Sequence, residues 1–100
     1  MKRTKKGELN LPRCLTVEKA EGLHRDLSVA NDDGGDLIFL GDKVEAVDVA
    51  GLQLLAATRA SARACGKPFA IYRPSQALLD AARLTGLADL LAEPGREESR

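Results

Sequence analysis

The sequence predicts one α/β domain in which three or more strands pack with three or four helices. Three observations carry this expectation. Two short continuous apolar runs, "DLIFL" and "PFAIY", are bounded by glycines and prolines, the pattern of strands buried on both faces. Between them a segment of helical periodicity runs from about Val49 to Ala64. Strand, crossover helix and strand at this spacing make a parallel βαβ unit, which is almost always right-handed. A further helical pattern precedes the unit and another follows it.

Taken in order, residues 1–8 read as a flexible basic N-terminus, in which Lys2, Arg3, Lys5 and Lys6 form a solvated run with no aromatic or Gly-rich neighbour. "LNLPRCLTV" alternates apolar residues around Pro12, which predicts an edge strand or two short extended pieces interrupted by the proline. "TVEKAEGLHRDLSVANDDGG" is a helix with a start and a stop. Thr16 is placed to cap it, Glu18 and Glu21 suit its positive end, and Asn31 to Gly35 terminate it. Ala20, Leu23, Leu27 and Ala30 form its apolar stripe, while Glu18, Glu21, Arg25 and Ser28 face away and His24 sits at the border.

After the βαβ unit, Ser75 is an N-cap behind Pro74 for a last helix carrying Leu78, Leu79, Ala82 and Leu84. Gly86 ends it, "LADLLAE" adds a short amphipathic segment, and residues 93–100 read as a disordered charged tail.

Composition narrows the function classes. One hundred residues suffice for one compact domain and not for two. Such a chain buries about two-thirds of its unfolded surface, so its core needs neither disulfide nor metal. Phe39, Phe69 and Tyr72 are the only aromatics, which leaves the core to Leu, Val, Ile and Ala. The formal net charge is zero, so nothing global points to nucleic acid or an acidic membrane. Neither a signal peptide nor an apolar run of spanning length is seen, and the expectation is a cytoplasmic protein without direct membrane insertion. Cys14 and Cys65 make no metal or redox motif and read as small buried hydrophobes.

The segment "VEAVDVAGLQLL" concentrates the functional question. Asp48 is placed to cap the helix that begins at Val49, its carboxylate meeting free N–H groups and the positive helix end. Gly51 in the first turn costs helix propensity, which suggests a close backbone approach there. Gly51, Leu54, Leu55, Thr58, Ala62 and Cys65 share the side expected to face the sheet. Gln53, Ala57, Ala60 and Ala64 share a side nearly devoid of bulk. Leu52, Ala56, Arg59 and Arg63 form a third line, and Leu52 there reads as part of a protein-docking patch.

No enzyme is expected. Asp48, Asp42, Glu45 and the lone His24 fall into no triad, metal cage or carboxylate pair. "DDGGD" is flanked by acids, which repel phosphate rather than cradle it.

At this point the residues resemble a family. A short apolar strand, then "GDKVEAVDVAGLQLL", then a helix ending "ARACGKPFAIYRPSQALLDAARLTGL" looks like a STAS domain over about residues 9–92. The D-x-[AST]-G-L turn, the Gly66 that ends the helix and the "TGL" after the last long helix carry the likeness by their order and spacing. The resemblance implies a small four-stranded mixed sheet packed against about four helices. It also implies a non-catalytic binding module without a cofactor. In regulatory members the residue after the motif Asp is a Ser or Thr phosphorylated by a partner kinase. Carried over, that position is Val49, followed by Ala50, so neither hydroxyl is present.

Two readings follow from the resemblance. One is an anti-sigma factor antagonist-like component of a bacterial partner-switching pathway, binding an anti-sigma factor or kinase-like ATPase. The alternative is a cytoplasmic STAS subunit binding the ATPase of a lipid-transport ABC system. The expected partner-binding set is Asp48, Val49, Ala50, Gly51, Leu52, Gln53, Ala56 and Arg59. Thr58 is expected to face the core, and Ser61 lacks the loop setting of a switch.

Overall fold

Pro12 splits the first extended stretch in two, because it has no N–H to give a ladder. In the computed structural model, which describes residues 3–91, the pieces are β1 (Leu9–Asn10) and β2 (Cys14–Leu15). A 3₁₀ turn, Val17–Lys19, leads into α1 (Ala20–Asp32). Then come β3 (Leu37–Leu40), β4 (Ala46–Val47), α2 (Val49–Ala64), β5 (Phe69–Tyr72) and α3 (Gln76–Leu84), with a second 3₁₀ turn at Ala88–Leu91. The charged tail expected at 93–100 lies outside the described residues.

The βαβ unit forms as the apolar runs require: β3 and β5 are parallel, in register from Leu37↔Phe69 to Leu40↔Tyr72. β1 adds to the free side of β3 with Leu9 opposite Phe39, giving a three-stranded parallel sheet in the order β1-β3-β5. β2 and β4 make a separate parallel ladder, Cys14↔Ala46 and Leu15↔Val47. This corrects the expected four-stranded mixed sheet. Among the described residues the strands form two parallel ladders, and an antiparallel pairing survives as a single bridge, Arg3↔Leu9. Each parallel partner is reached across a helix, and the break at Pro12 hands the two halves of one extended stretch to different partners. Among the described residues three α-helices and two 3₁₀ turns stand where about four helices were expected.

One face of the main sheet carries the core, while on the other Leu40 and Ala70 are buried and Ile38 and Tyr72 half-buried. Leu9, Leu37, Phe39, Ile71, Leu23, Leu27, Leu55 and Leu78 lie in one buried cluster, and Phe39 and Phe69 meet as tilted rings with centroids 5.5 Å apart. This pair supplies much of the aromatic area the composition allows. α2 touches α1, β2, β5 and both 3₁₀ turns. It ends as its sequence predicts. Gly66 takes a left-handed conformation (φ 71°), Lys67 N–H donates to Ala62 O at 2.8 Å and Gly66 N–H to Arg63 O at 3.1 Å, closing the last turn. The Ser75 hydroxyl accepts from Leu78 N–H at 3.1 Å and opens α3 as expected.

Two expectations about single residues change. Arg3, assigned to a flexible tail, is pinned: its guanidinium grips both carboxylate oxygens of Asp33 (2.9 and 3.1 Å) and donates to the carbonyls of Gly7, Ala30 and Asp36. Ala30, Asp33 and Asp36 lie at the C-terminal end of α1, where a cation suits the helix dipole. The carboxyl of Asp33 is held below its usual range, first by the Arg3 bond and then by the N–H of Gly35. Cys65, expected to be buried, is exposed, because it sits at the C-cap where the helix has already left the sheet. Cys14 is half-buried.

Candidate functional site

The N-terminal turn of α2 is assembled by one carboxylate. Asp48 has the extended backbone of an N-cap (φ −132°, ψ −178°), and its Oδ1 accepts from Gly51 N–H at 3.2 Å, as the sequence predicts. Its Oδ2 does something the sequence does not announce: it accepts from Val17 N–H at 2.9 Å. Thr16, the expected cap of the preceding helix, makes no side-chain capping bond, and Asp48 serves that start from 31 positions away. One side chain therefore satisfies backbone donors at the starts of two helical segments. The bond from Val17 is the largest cause holding the Asp48 carboxyl below its usual value. Partial burial opposes it, and the N–H groups of Gly51 and Ala50 add to it.

The backbone is equally constrained. Asp48 N–H donates to Leu15 O at 3.0 Å, the bond that closes the Leu15↔Val47 end of the β2–β4 ladder. Gly51 lies against that same carbonyl, and a Cβ there would come within 2.1 Å of it. The close approach inferred from the glycine is thus a contact of α2 with the end of β2.

This geometry sorts the expected docking residues. Val49 is 48% exposed, Gln53 is exposed and Ala50 is half-buried. Leu52 is fully buried in the core, a correction to its reading as a docking side chain. α2 packs against α1, β2, β5 and both 3₁₀ turns, so more of its circumference is covered than the one buried face anticipated. Ala56 packs against the core, and the Arg59 guanidinium, 15% exposed, donates to the Asp89 carbonyl at 3.2 Å and its carboxylate at 3.3 Å. Gly51 is also buried. The surface left to a partner is Val49, Ala50 and Gln53, with Asp48 beneath it as organiser.

Residues 3–92 match the family model described as "Mlab, STAS domain". This chain belongs to the STAS family. No curated protein matches it at a significant level.

Two parts of this STAS domain's surface escape a reading of the sequence. Val17 is 64% exposed and is brought beside the α2 turn by its bond to Asp48. Nothing in the spacing of Val17 and Asp48 could signal that. The second part is a shallow groove between α1 and α2. Its upper stretch, about 420 Å³, is lined by Ala20, Glu21, His24, Ala50, Gln53 and Leu54. It continues past His24 and Leu54 to Ser28, Asn31, Ala57, Thr58 and Ser61. The Ala-rich side of α2 was the available clue. Thr58, expected to face the core, is half-buried on this groove with its hydroxyl donating to Leu54 O at 2.8 Å. Among the described residues no helix is long and apolar enough to cross a membrane.

Proposed function

We propose that this STAS domain is a non-catalytic protein-binding module, an anti-sigma factor antagonist-like component of a partner-switching or signalling pathway. It docks through the N-terminal turn of α2 and is not phosphorylated at the family's usual position. The observation that carries this reading is the turn itself, rigidly held by Asp48 and Gly51 and presenting Val49, Ala50 and Gln53 outward. Both carboxylate oxygens of Asp48 are engaged by backbone N–H groups, which suits a scaffold rather than an acid or nucleophile. By the family resemblance Val49 and Ala50 occupy the positions where relatives carry hydroxyls. A phosphate there would add nearly two negative charges to a helix start already occupied by Asp48, a switch this chain lacks the oxygen to form. Control then falls to the partner's abundance or to a signal elsewhere.

A second reading, a STAS subunit docking on the ATPase of a lipid-transport ABC system through the same turn, is favoured by the Mlab name in the matching family model. Affinity capture with the full chain from its native cell separates the two. A histidine-kinase-like ATPase or an anti-sigma factor is expected; an ABC ATPase with its permease would replace the first reading by the second. Mass spectrometry after incubation with the captured kinase is expected to find no phosphate, and stoichiometric phosphate on Thr58 or Ser61 would overturn the claim of a lost switch.

A further inference from the structure

We infer that the partner element received by this surface is a cationic amphipathic helix, lying in the α1–α2 groove with its basic end at the mouth formed by Val17 and Val49. The inference rests on the docking reading above and adds the partner's chemistry and direction. Val17, Val29, Val49 and Leu84 are the large apolar side chains left exposed among the described residues, and two of these four flank a single carboxylate. Val17 donates its N–H to Asp48 and Val49 follows Asp48 in the chain, so residues far apart in sequence make one apolar lip. From that lip the groove runs down both helices, from Ala20 to Asn31 on α1 and from Ala50 to Ser61 on α2. Twelve residues of helix on each wall, hence eleven rises of about 1.5 Å, make it about 16 Å long, three turns of a partner helix.

The lining decides what fits. The α2 wall is Ala50, Gln53, Leu54, Ala57, Thr58 and Ser61, a helical stripe with a single large apolar side chain, so a second helix can approach closely. Formal charge on the lining is confined to Glu21 near the mouth, and exposed Glu18 stands one turn before it. Lys19 does not offset them, since it turns to the opposite flank of α1 and lines a different groove with Pro12, Arg13 and Cys14. Arg25 is exposed on α1 outside the lining. The groove is therefore acidic at its mouth and carries no formal charge along the rest of its lining, and at its far end the Lys67 ammonium donates to the Asn31 carbonyl. That polarity suits a helix with one apolar seam and Lys or Arg at the end that meets Glu18 and Glu21.

The test uses the full chain, isotope-labelled, and two designed peptides of about 14 residues. Both carry the same Leu/Ala seam, and one has Lys where the other has Glu. Amide shifts at Val17, Glu21, Ala50, Gln53 and Leu54 are expected with the Lys peptide, weakening as salt is raised, and not with the Glu peptide. The E18K/E21K variant is expected to lose about five- to tenfold in affinity for the Lys peptide. Equal shifts with both peptides, or shifts confined to another face, overturn the inference. A V49D variant that loses the captured native partner while the Lys peptide leaves the groove unperturbed overturns the helix proposal and leaves the docking turn standing. Retention of that partner by a folded V49D variant removes the docking turn itself.

Discussion

A Cβ built on Gly51 would lie 2.1 Å from the Leu15 carbonyl oxygen, whereas one built on Gly22 would meet nothing within 4 Å. Both glycines sit inside helices, and helix propensity alone favours Ala at either by about 1 kcal/mol. The surroundings reverse the sign at one of them. Gly51→Ala is expected to destabilise the domain by about 2–3 kcal/mol, because the obstacle is backbone and cannot step aside. Gly22→Ala is expected to stabilise it by about 0.5–1 kcal/mol. Urea unfolding of the two variants checks both signs, and a stabilised Gly51→Ala would show that α2 can move away from β2. At this scale the sequence signalled that Gly51 was special. It could not signal what the glycine touches, because Leu15 is brought there by a ladder formed after Pro12.

Asp48 also makes a prediction about acid. Its carboxyl, like that of Asp33, is held below the usual carboxylate range by bonds that exist only in the folded chain. The unfolded chain therefore takes up protons first as pH falls below about 4, and the stability these bonds contribute is present above that point and is lost as pH drops through the folded values. Asp48→Asn is expected to lower the unfolding midpoint at neutral pH and to flatten its dependence on acid. An unchanged acid slope would show that the Val17 and Gly51 bonds favour neither protonation state.

Among the elements, α2 was the most legible: its start at Val49, its cap and its end at Gly66 all follow from residue types with fixed local roles. Which of its sides meet solvent was less legible, because burial depends on what packs from elsewhere. Leu52 and Ala56 pack in the core and Arg59 is bonded to Asp89 of the 3₁₀ turn Ala88–Leu91, which turns an expected docking face into an internal contact. The consequence is a contrast between neighbouring positions. Leu52→Asp is expected to unfold the domain, since it places an unpaired carboxylate at a fully buried site. Val49→Asp is expected to keep the fold, within about 0.5 kcal/mol, while abolishing partner binding. Circular dichroism and a binding assay on both variants check this, and a folded Leu52→Asp protein would contradict the burial.

Across the whole molecule, the βαβ unit and the Leu-rich core were readable from hydrophobic runs and periodicity. The division of strands into two ladders was not, because a two-residue strand has no period to read and parallel pairing joins residues some 30 positions apart. The fixing of Arg3 was equally invisible. A basic residue among lysines looks solvated, and its acceptors are carbonyls exposed only once α1 has ended beside it. Here Arg3→Lys is expected to lower the unfolding midpoint nearly as far as Arg3→Ala, since an ammonium cannot reproduce a fork that grips both Asp33 oxygens and three carbonyls. Full rescue by Lys would reduce the contact to simple charge.

That anchor also gives the molecule an orientation. Arg3 is fastened at the last turn of α1, while Val17 and the docking turn lie at its first, so the 13 residues of the helix hold them about 20 Å apart. Anything joined ahead of Arg3, whether a purification tag, a dye or a tether to a surface, leaves from the end remote from the binding lip. The domain can be held by that end while its opposite end stays open to a partner.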